Sequence, residues 1–345
     1  MLRYALIRAD GSKKIGLGHL TRQIDIANSL RKLNYEVFFL SKNYPKGISL
    51  IERSKFKILK LRSKQQTITE SIKEIKSILD SFNREFHLIM VDLVKNFDNQ
   101  DYLNTFKGYC NKLYVLSDDP HKFNIDVNGV FAISPNQELF DYNRSKSKYY
   151  TGLKYFPLHK IYQNVQKKNI REQVSKILLT FGGSDPNNYS SKIIKILKEL
   201  NINVQISLIL GSAFSEETYK SLIQEKSENI VIKKNVPNVN MIDFFLEADL
   251  SICSAGNTVI ELLTCGVPCI IIPQTKLENR RAEALERKNM GVNMGLNFND
   301  SLFIKKIKSL LTNSSQRRIF SEKAQETLDG RGINRIVEIL AEAKQ

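Results

Sequence analysis

The sequence predicts an α/β protein built from two doubly wound, Rossmann-like domains facing each other across a cleft. Three observations carry that expectation. Strand-like and helix-like segments alternate through the first half. The same plan (strand, glycine turn, helix) restarts near residue 174. The length of 345 residues also exceeds the usual size of one domain.

The opening strand, Arg3 to Asp10, feeds a glycine turn and then a helical pattern from His19 to Asn34, with Leu20, Ile24, Ala27 and Leu30 at helical spacing. Tyr35 to Leu40 reads as a buried strand. Lysine-rich helical patterns follow around Ile51 and from Thr67 to Phe82, leading into the strand His87–Asp92. A further strand, Lys112–Leu116, ends at Ser117-Asp118-Asp119-Pro120. Asp141 to Val174 is polar and poor in periodicity, as expected of a connection. Val174–Phe181 then reads as a strand, Gly182 to Pro186 as a turn and Asn188–Leu200 as a helix. Further strands are expected at Val204–Leu210, Ile230–Lys233, Leu250–Ser254 and Pro268–Ile272. The expected domains are 1–150, a connection over 151–172, and 173–345, with the last helix able to pack back on the first domain.

Composition narrows the function classes. With 42% hydrophobic and 26% charged residues the chain reads as a soluble globular protein. It has no apolar run near the ~20 residues of a bilayer span, and its N-terminus lacks a secretory signal pattern. The cytoplasm is the expected compartment, with peripheral membrane contact left open. The net charge of +16 comes from 52 basic and 36 acidic residues. These basic residues are spread along the chain without a nucleic-acid-binding module, so no nucleic-acid partner is expected, and the charge permits a phosphate-bearing ligand without singling one out. Cys110, Cys253, Cys265 and Cys269 lack zinc-ligand spacing and read as buried thiols, so no metal site is expected.

Two turns point to chemistry. Gly16-Leu17-Gly18-His19 opens the first helix, so unpaired N–H groups stand ready for an anion beside a proton-transferring histidine. A structural turn with a surface histidine is the competing reading. The missing third glycine, and the lack of an acid ending the second strand, argue against a dinucleotide fingerprint. Ser254-Ala255-Gly256 follows a strand and opens another helix, with Asn257 or Thr258 as its cap. Glu261 lies about one turn further on, where its carboxylate can accept ribose hydroxyls; a dipole-favoured capping glutamate is the plainer reading. Gly182-Gly183-Ser184-Asp185 offers another anion-binding strand end, followed by a helix at Asn188. Glu278-Asn279-Arg280-Arg281 opens a helix with amide and guanidinium donors. His87, His121 and His159 lack the spacing of a metal pair.

The chain resembles the UDP-2,4-diacetamido-2,4,6-trideoxy-β-L-altropyranose hydrolases of pseudaminic acid synthesis. The resemblance rests on Arg8-Ala9-Asp10, Gly16-Leu17-Gly18-His19 and Val91-Asp92. It continues through Gly152-Leu153-Lys154-Tyr155, Phe181 to Asp185, Ala255 to Glu261, Glu278-Asn279 and Asp329-Gly330-Arg331-Gly332. It implies a GT-B-like fold and a UDP-sugar substrate; a monomer and no cofactor are also expected. His19 becomes the base that activates water for inverting attack at the anomeric carbon, without a metal. Arg8, Asp10, Gly16, Gly18, Asp92 and Tyr155 face the sugar. Gly182, Gly183, Ser184, Asn188, Ser254, Ala255, Gly256, Asn257, Thr258, Glu261 and Asn279 hold the nucleotide. The chain departs from that family at Leu93-Val94, Leu158-His159-Lys160 and Arg280, all but the last on the sugar side. A GT-B glycosyltransferase and a non-catalytic UDP-sugar binder are the alternatives.

Overall fold

The structure, a computed structural model, describes residues 2–12, 16–62, 66–94, 99–118, 125–137, 146–183, 185–211 and 213–342. It divides into two compact units, Met1–His159 with Arg331–Gln345, and Lys160–Gly330. Residues 151–172, expected as the connection, are shared between the units at His159 and Lys160.

In the first unit the order is β1 (Arg3–Ala9), α1 (Gly18–Lys32), β2 (Tyr35–Lys42), α2 (Pro45–Arg53), β3 (Lys57–Leu61) and α3 (Ile68–Phe82). Then follow β4 (Phe86–Asp92), α4 (Gln100–Lys107), β5 (Cys110–Ser117), β6 (Gly129–Ala132) and β7 (Lys148–Thr151). The seven strands are parallel, in the order β3-β2-β1-β4-β5-β6-β7. The central strands β1 and β4 are near-continuous apolar runs because helices cover both faces of a parallel sheet. Their core includes Leu6, Ile89, Val91 and Val115.

Three strands of this sheet are absent from the sequence expectation: β3 and β7, which are its two edges, and β6, an interior strand of only four residues. β3 reads Lys-Ile-Leu-Lys-Leu and β7 Lys-Tyr-Tyr-Thr. Polar and charged residues suit an exposed edge and erase the apolar run by which central strands are recognised.

The second unit begins with β8 (Lys176–Thr180), α5 (Tyr189–Glu199), β9 (Gln205–Leu210), α6 (Glu216–Ile223), β10 (Ile230–Lys234) and α7 (Asn238–Glu247). It continues with β11 (Leu250–Cys253), α8 (Asn257–Thr264), β12 (Cys269–Ile271), α9 (Lys276–Arg287), β13 (Val292–Asn293), α10 (Asp300–Thr312) and α11 (Ser314–Thr327). Its six strands are parallel, ordered β10-β9-β8-β11-β12-β13, over a core that includes Ile177, Leu179, Leu208, Ile252 and Ile270. Cys253, Cys265 and Cys269 are buried free thiols in this unit, while Cys110 of the first unit is half-buried. Arg317 is fully buried; its guanidinium donates to the Leu310 and Leu311 carbonyls that end α10 and to those of Arg171 and Glu172.

The last helix, α12 (Gly332–Ala341), belongs to the first unit and packs on α1. Its buried stripe is Ile333, Ile336, Val337 and Leu340, each burial contributing about 1.5–3 kcal/mol. A Cβ at Gly332 would lie 2.0 Å from the Phe156 carbonyl oxygen, and Gly330 has φ +72° with 2.3 Å to Tyr162 O. The Asp329–Gly332 motif is thus a requirement of close backbone approach.

Candidate functional site

In each sheet the strand order reverses once, between β1 and β4 and between β8 and β11. Ligands of open α/β sheets bind at such reversals, beyond the strand carboxyl ends. The register aligns those ends, with Ala9 beside Asp92 and Thr180 beside Cys253. His19 follows β1, Gly182 follows β8 and Ser254 follows β11, so the sequence-predicted turns stand at the two reversals.

In the first unit, His19 is the second residue of α1, whose N-terminus has no side-chain cap. His19 Nδ1 lies 2.7 Å from Asp92 Oδ1. Arg22 and Gln23, three and four positions on, share that face of the helix. Arg22 Nε donates to Asp92 Oδ2 at 2.6 Å, Arg22 Nη2 to Oδ1 at 2.5 Å and Gln23 Nε2 to Oδ2 at 2.9 Å. Arg22 Nη1 reaches Asp118 Oδ2 at 3.5 Å. Burial alone would raise the Asp92 carboxyl, but the Arg22 guanidinium and His19 outweigh it and hold it at about 2.

Asp92 is therefore ionised and accepts hydrogen bonds only. A 2.7 Å contact with it requires the proton on His19 Nδ1. Arg22 Nη2 also stands 3.0 Å from Nδ1, but a protonated Nδ1 has no lone pair to accept from it, and Nη2 directs one of its two hydrogens to Asp92 Oδ1. A neutral His19 then carries its lone pair on Nε2, the arrangement of an oriented general base. The imidazole is partly exposed, its side chain 17% accessible against none for Asp92.

Asp92, expected to face the sugar, is thus turned inward with its acceptor positions filled by the chain. Arg22 and Gln23 were missed; their spacing from His19 was the available signal, but only the sheet order brings Asp92 to them. Next to Asp92, Leu93 is buried and Val94 is 49% exposed.

Arg8 and Asp10 form a closed pair rather than an open ligand site. Arg8 Nη1 and Nη2 donate to Asp10 Oδ1 and Oδ2 at 2.6 and 2.8 Å, and Arg8 Nε to the Tyr102 hydroxyl at 2.9 Å. Asp10 Oδ1 also accepts the Lys42 N–H at 2.8 Å. Gly16 has φ +75° and bonds Ser12, while Gly18 begins α1. Tyr155 packs edge-on against Phe131 and Tyr150 and lines a 550 Å³ cavity with Lys148, Lys154 and Arg335. None of the residues lining that cavity belongs to the His19 cluster.

The second unit brings Gly182, Ser254, Gly256 and Glu278 together. A Cβ at Gly182 would stand 3.9 Å from Ser254 Oγ, and one at Gly256 would stand 3.8 Å from Ser254 Oγ and 3.9 Å from Glu278 Oε1. Among the described residues, chain neighbours aside, no heavy atom lies within 4 Å of the Cβ position at Gly183. The cap of α8 is Gly256, not Asn257 or Thr258, and it makes no side-chain cap bond, while the Glu278 carboxyl accepts the Ala255 N–H just before it. Asn257 and Thr258 are partly exposed in its first turn. Arg281 Nη1 donates to the Ala255 carbonyl at 2.9 Å and so steadies the turn. α9 begins at Lys276, capped by Thr275, two residues before the expected start.

At α5 the anion site is already filled. Asp185 Oδ1 and Oδ2 accept the Tyr189 and Ser190 N–H groups. Asn188, expected to hold nucleotide, is exposed in the left-handed region and accepts from the Ser191 hydroxyl. Ser184, Asp119 and His121 lie outside the described residues. Asn279 donates to Glu283 at 2.7 Å, and its buried Oδ1 has no partner among the described residues.

Glu261 is half-buried in the second turn of α8, with no hydrogen-bond or ion-pair partner among the described residues. Burial pushes its carboxyl up to about 7. Among the described residues it is thus an acceptor with no donor.

Two α/β units with parallel sheets in these orders define a GT-B-like fold, and residues 177–335 match the glycosyltransferase family 28 C-terminal domain. The fold is similar to that of MurG from Acinetobacter baumannii, with a TM-score of 0.75 at 13% identity over 99% of each chain. In sequence the chain is similar to the uncharacterized protein MJ1062 of Methanocaldococcus jannaschii, 31% identical over 294 residues, 80% of this chain and 57% of that protein. It is 22% identical to the spore coat polysaccharide biosynthesis protein SpsG of Bacillus subtilis, over 97% of this chain and 96% of that one. The UDP-2,4-diacetamido-2,4,6-trideoxy-β-L-altropyranose hydrolase of Campylobacter jejuni is similar over a shorter part of the chain, at 23% identity over 83% of this chain and 97% of that one. The likeness is therefore broader than the hydrolase family alone. Among the described residues no helix is long and apolar enough to cross a membrane.

Proposed function

We propose that this protein hydrolyses a UDP-linked deoxy, N-acetylated amino sugar to UDP and free sugar, in the synthesis of a surface glycan. The observation that carries the reading is the 2.7 Å contact of His19 Nδ1 with ionised Asp92, which leaves Nε2 as the basic nitrogen. In the proposed reaction Nε2 takes a proton from water as the water oxygen bonds to the anomeric carbon. The bond from that carbon to the UDP oxygen breaks, its electron pair leaves with UDP, and the configuration inverts.

The second unit supplies the groups for the leaving nucleotide. The amides at the N-terminus of α8, free of a side-chain cap, and the Ser254 hydroxyl suit a pyrophosphate. Glu261, an acceptor without a donor among the described residues, suits the ribose hydroxyls. The altropyranose hydrolase and the polysaccharide protein SpsG, though distant, support a nucleotide-sugar substrate and a glycan product.

A second reading is favoured by the match to the glycosyltransferase family 28 C-terminal domain: transfer of the sugar to an alcohol, using the same base. Incubating the purified protein with the UDP-sugar alone separates the two. Hydrolysis releases UDP and free sugar without an acceptor; transfer releases UDP only when an alcohol acceptor is added.

A further inference from the structure

Asp92 ends β4 with no exposed surface. A carboxylate offers about four lone-pair directions. Four N–H groups converge on this one: His19 Nδ1 and Arg22 Nη2 on Oδ1, Arg22 Nε and Gln23 Nε2 on Oδ2. Three of the four come from Arg22 and Gln23, so the direction left over is the one that meets His19. The Gln23 carboxamide is fully buried, yet its Oε1 has no partner among the described residues. A leucine would fill the same volume without stranding a carbonyl. What the position uses is therefore the N–H donor held on Asp92.

We propose that Arg22 and Gln23 are positioning residues which lock the Asp92 carboxylate, and through it the Nδ1–H tautomer of His19. The proposal rests on the reading of His19 as the base. With the three donors in place, Asp92 cannot rotate away from His19, and Nε2 stays the nitrogen that carries the lone pair. If one donor is lost, the carboxylate gains a free acceptor direction, rotates, and His19 populates both tautomers.

The test is ¹⁵N–¹H NMR of protein labelled at its four histidines, the His19 signals being assigned by their loss in His19→Asn. In the wild type, neutral His19 should show the Nδ1–H tautomer. Gln23→Leu keeps the volume and removes the stranded carbonyl, so a purely structural role predicts equal or greater stability and an unchanged tautomer. The positioning role predicts mixed tautomer signals and a kcat lower by roughly tenfold with KM unchanged. Arg22→Lys keeps the charge but cannot bond both Asp92 oxygens as a fork, and should show the same spectroscopic change. Folded Gln23→Leu and Arg22→Lys proteins that both keep the wild-type tautomer would overturn the proposal. A tautomer response in a protein that turns over no UDP-sugar would support the locking and remove the base role.

Discussion

Asp185 Oδ2 accepts the Ser190 backbone N–H at 2.6 Å, and its Oδ1 accepts that of Tyr189 at 3.0 Å. A carboxylate of the chain thus sits where an anion would sit at the start of α5. At α8 the cap residue is Gly256, which makes no side-chain cap bond, and the carboxyl of Glu278 takes the Ala255 N–H one residue before the cap. Two glycine turns that look alike in sequence therefore differ: at α5 a carboxylate bonds amides of the helix's own first turn, and at α8 the carboxyl bonds an amide ahead of the helix. Asp185→Ala should cost about 0.5–2 kcal/mol of stability, the usual range for losing a cap, with UDP affinity near wild type. Denaturant unfolding and calorimetry check the two halves; a large loss of UDP affinity at unchanged stability would place phosphate at α5 instead.

His19→Asn should retain the fold and UDP affinity while lowering turnover by about a hundredfold or more, the contribution of a positioned base. Steady-state rates on the UDP-sugar, set beside UDP calorimetry, are the measurement. Near-wild-type turnover in the folded variant would sink the assignment.

Glu261→Ala should weaken UDP binding by roughly 1–3 kcal/mol, the range for hydrogen bonds to a charged group. A pH signature accompanies it. The free protein holds this carboxyl up at about 7, and ribose hydroxyls donating to it favour the charged form, lowering its pKa in the complex. UDP binding should therefore strengthen as pH rises toward about 7 and release a fraction of a proton below that. For folding the sign is opposite: relative to the ordinary value of 4.5, the raised carboxyl favours the native state at low pH, and that advantage is lost as pH rises through about 7. Calorimetry in buffers of different ionisation heat measures the proton release, which Glu261→Gln should abolish; release that persists in that variant assigns it to another group.

The sugar side should be tolerant. Leu93 and Val94 follow Asp92 and cannot hydrogen-bond through their side chains, so a substrate lacking one polar group leaves no buried partner unsatisfied there. Close 6-deoxy relatives should differ little in kcat/KM, and UDP-GlcNAc, with its polar 6-hydroxyl, should be poor. If UDP-GlcNAc proves best of the three, the deoxy-sugar assignment fails while UDP-sugar hydrolysis survives.

The parallel α/β architecture was legible in the chain because central strands buried on both faces must be apolar runs. Strands β1, β4, β8 and β11 are such runs, and each hands over to a turn. The turns at Gly18-His19 and Ser254–Gly256 were legible for a related reason: small residues after a strand mark a backbone that an anion can approach. Local sequence is sufficient for both signals. The edge strands β3 and β7 escaped, since an edge tolerates lysine and tyrosine and leaves no apolar run to read.

What tertiary structure alone decided is who meets whom. His19 and Asp92 are joined because β4, rather than β2 or β3, lies on the open side of β1 and ends in register with it. That neighbour is set by crossover connections and helix packing over the whole sheet, which no local pattern encodes. The same holds for Asp185, which caps α5, and for Arg8 and Asp10, which satisfy each other. A charged side chain written at a strand end can bind a ligand or bind its own protein. The choice is made by which donors and acceptors the folded chain brings within about 3 Å of it, since a buried charge keeps whatever partner removes the cost of leaving water.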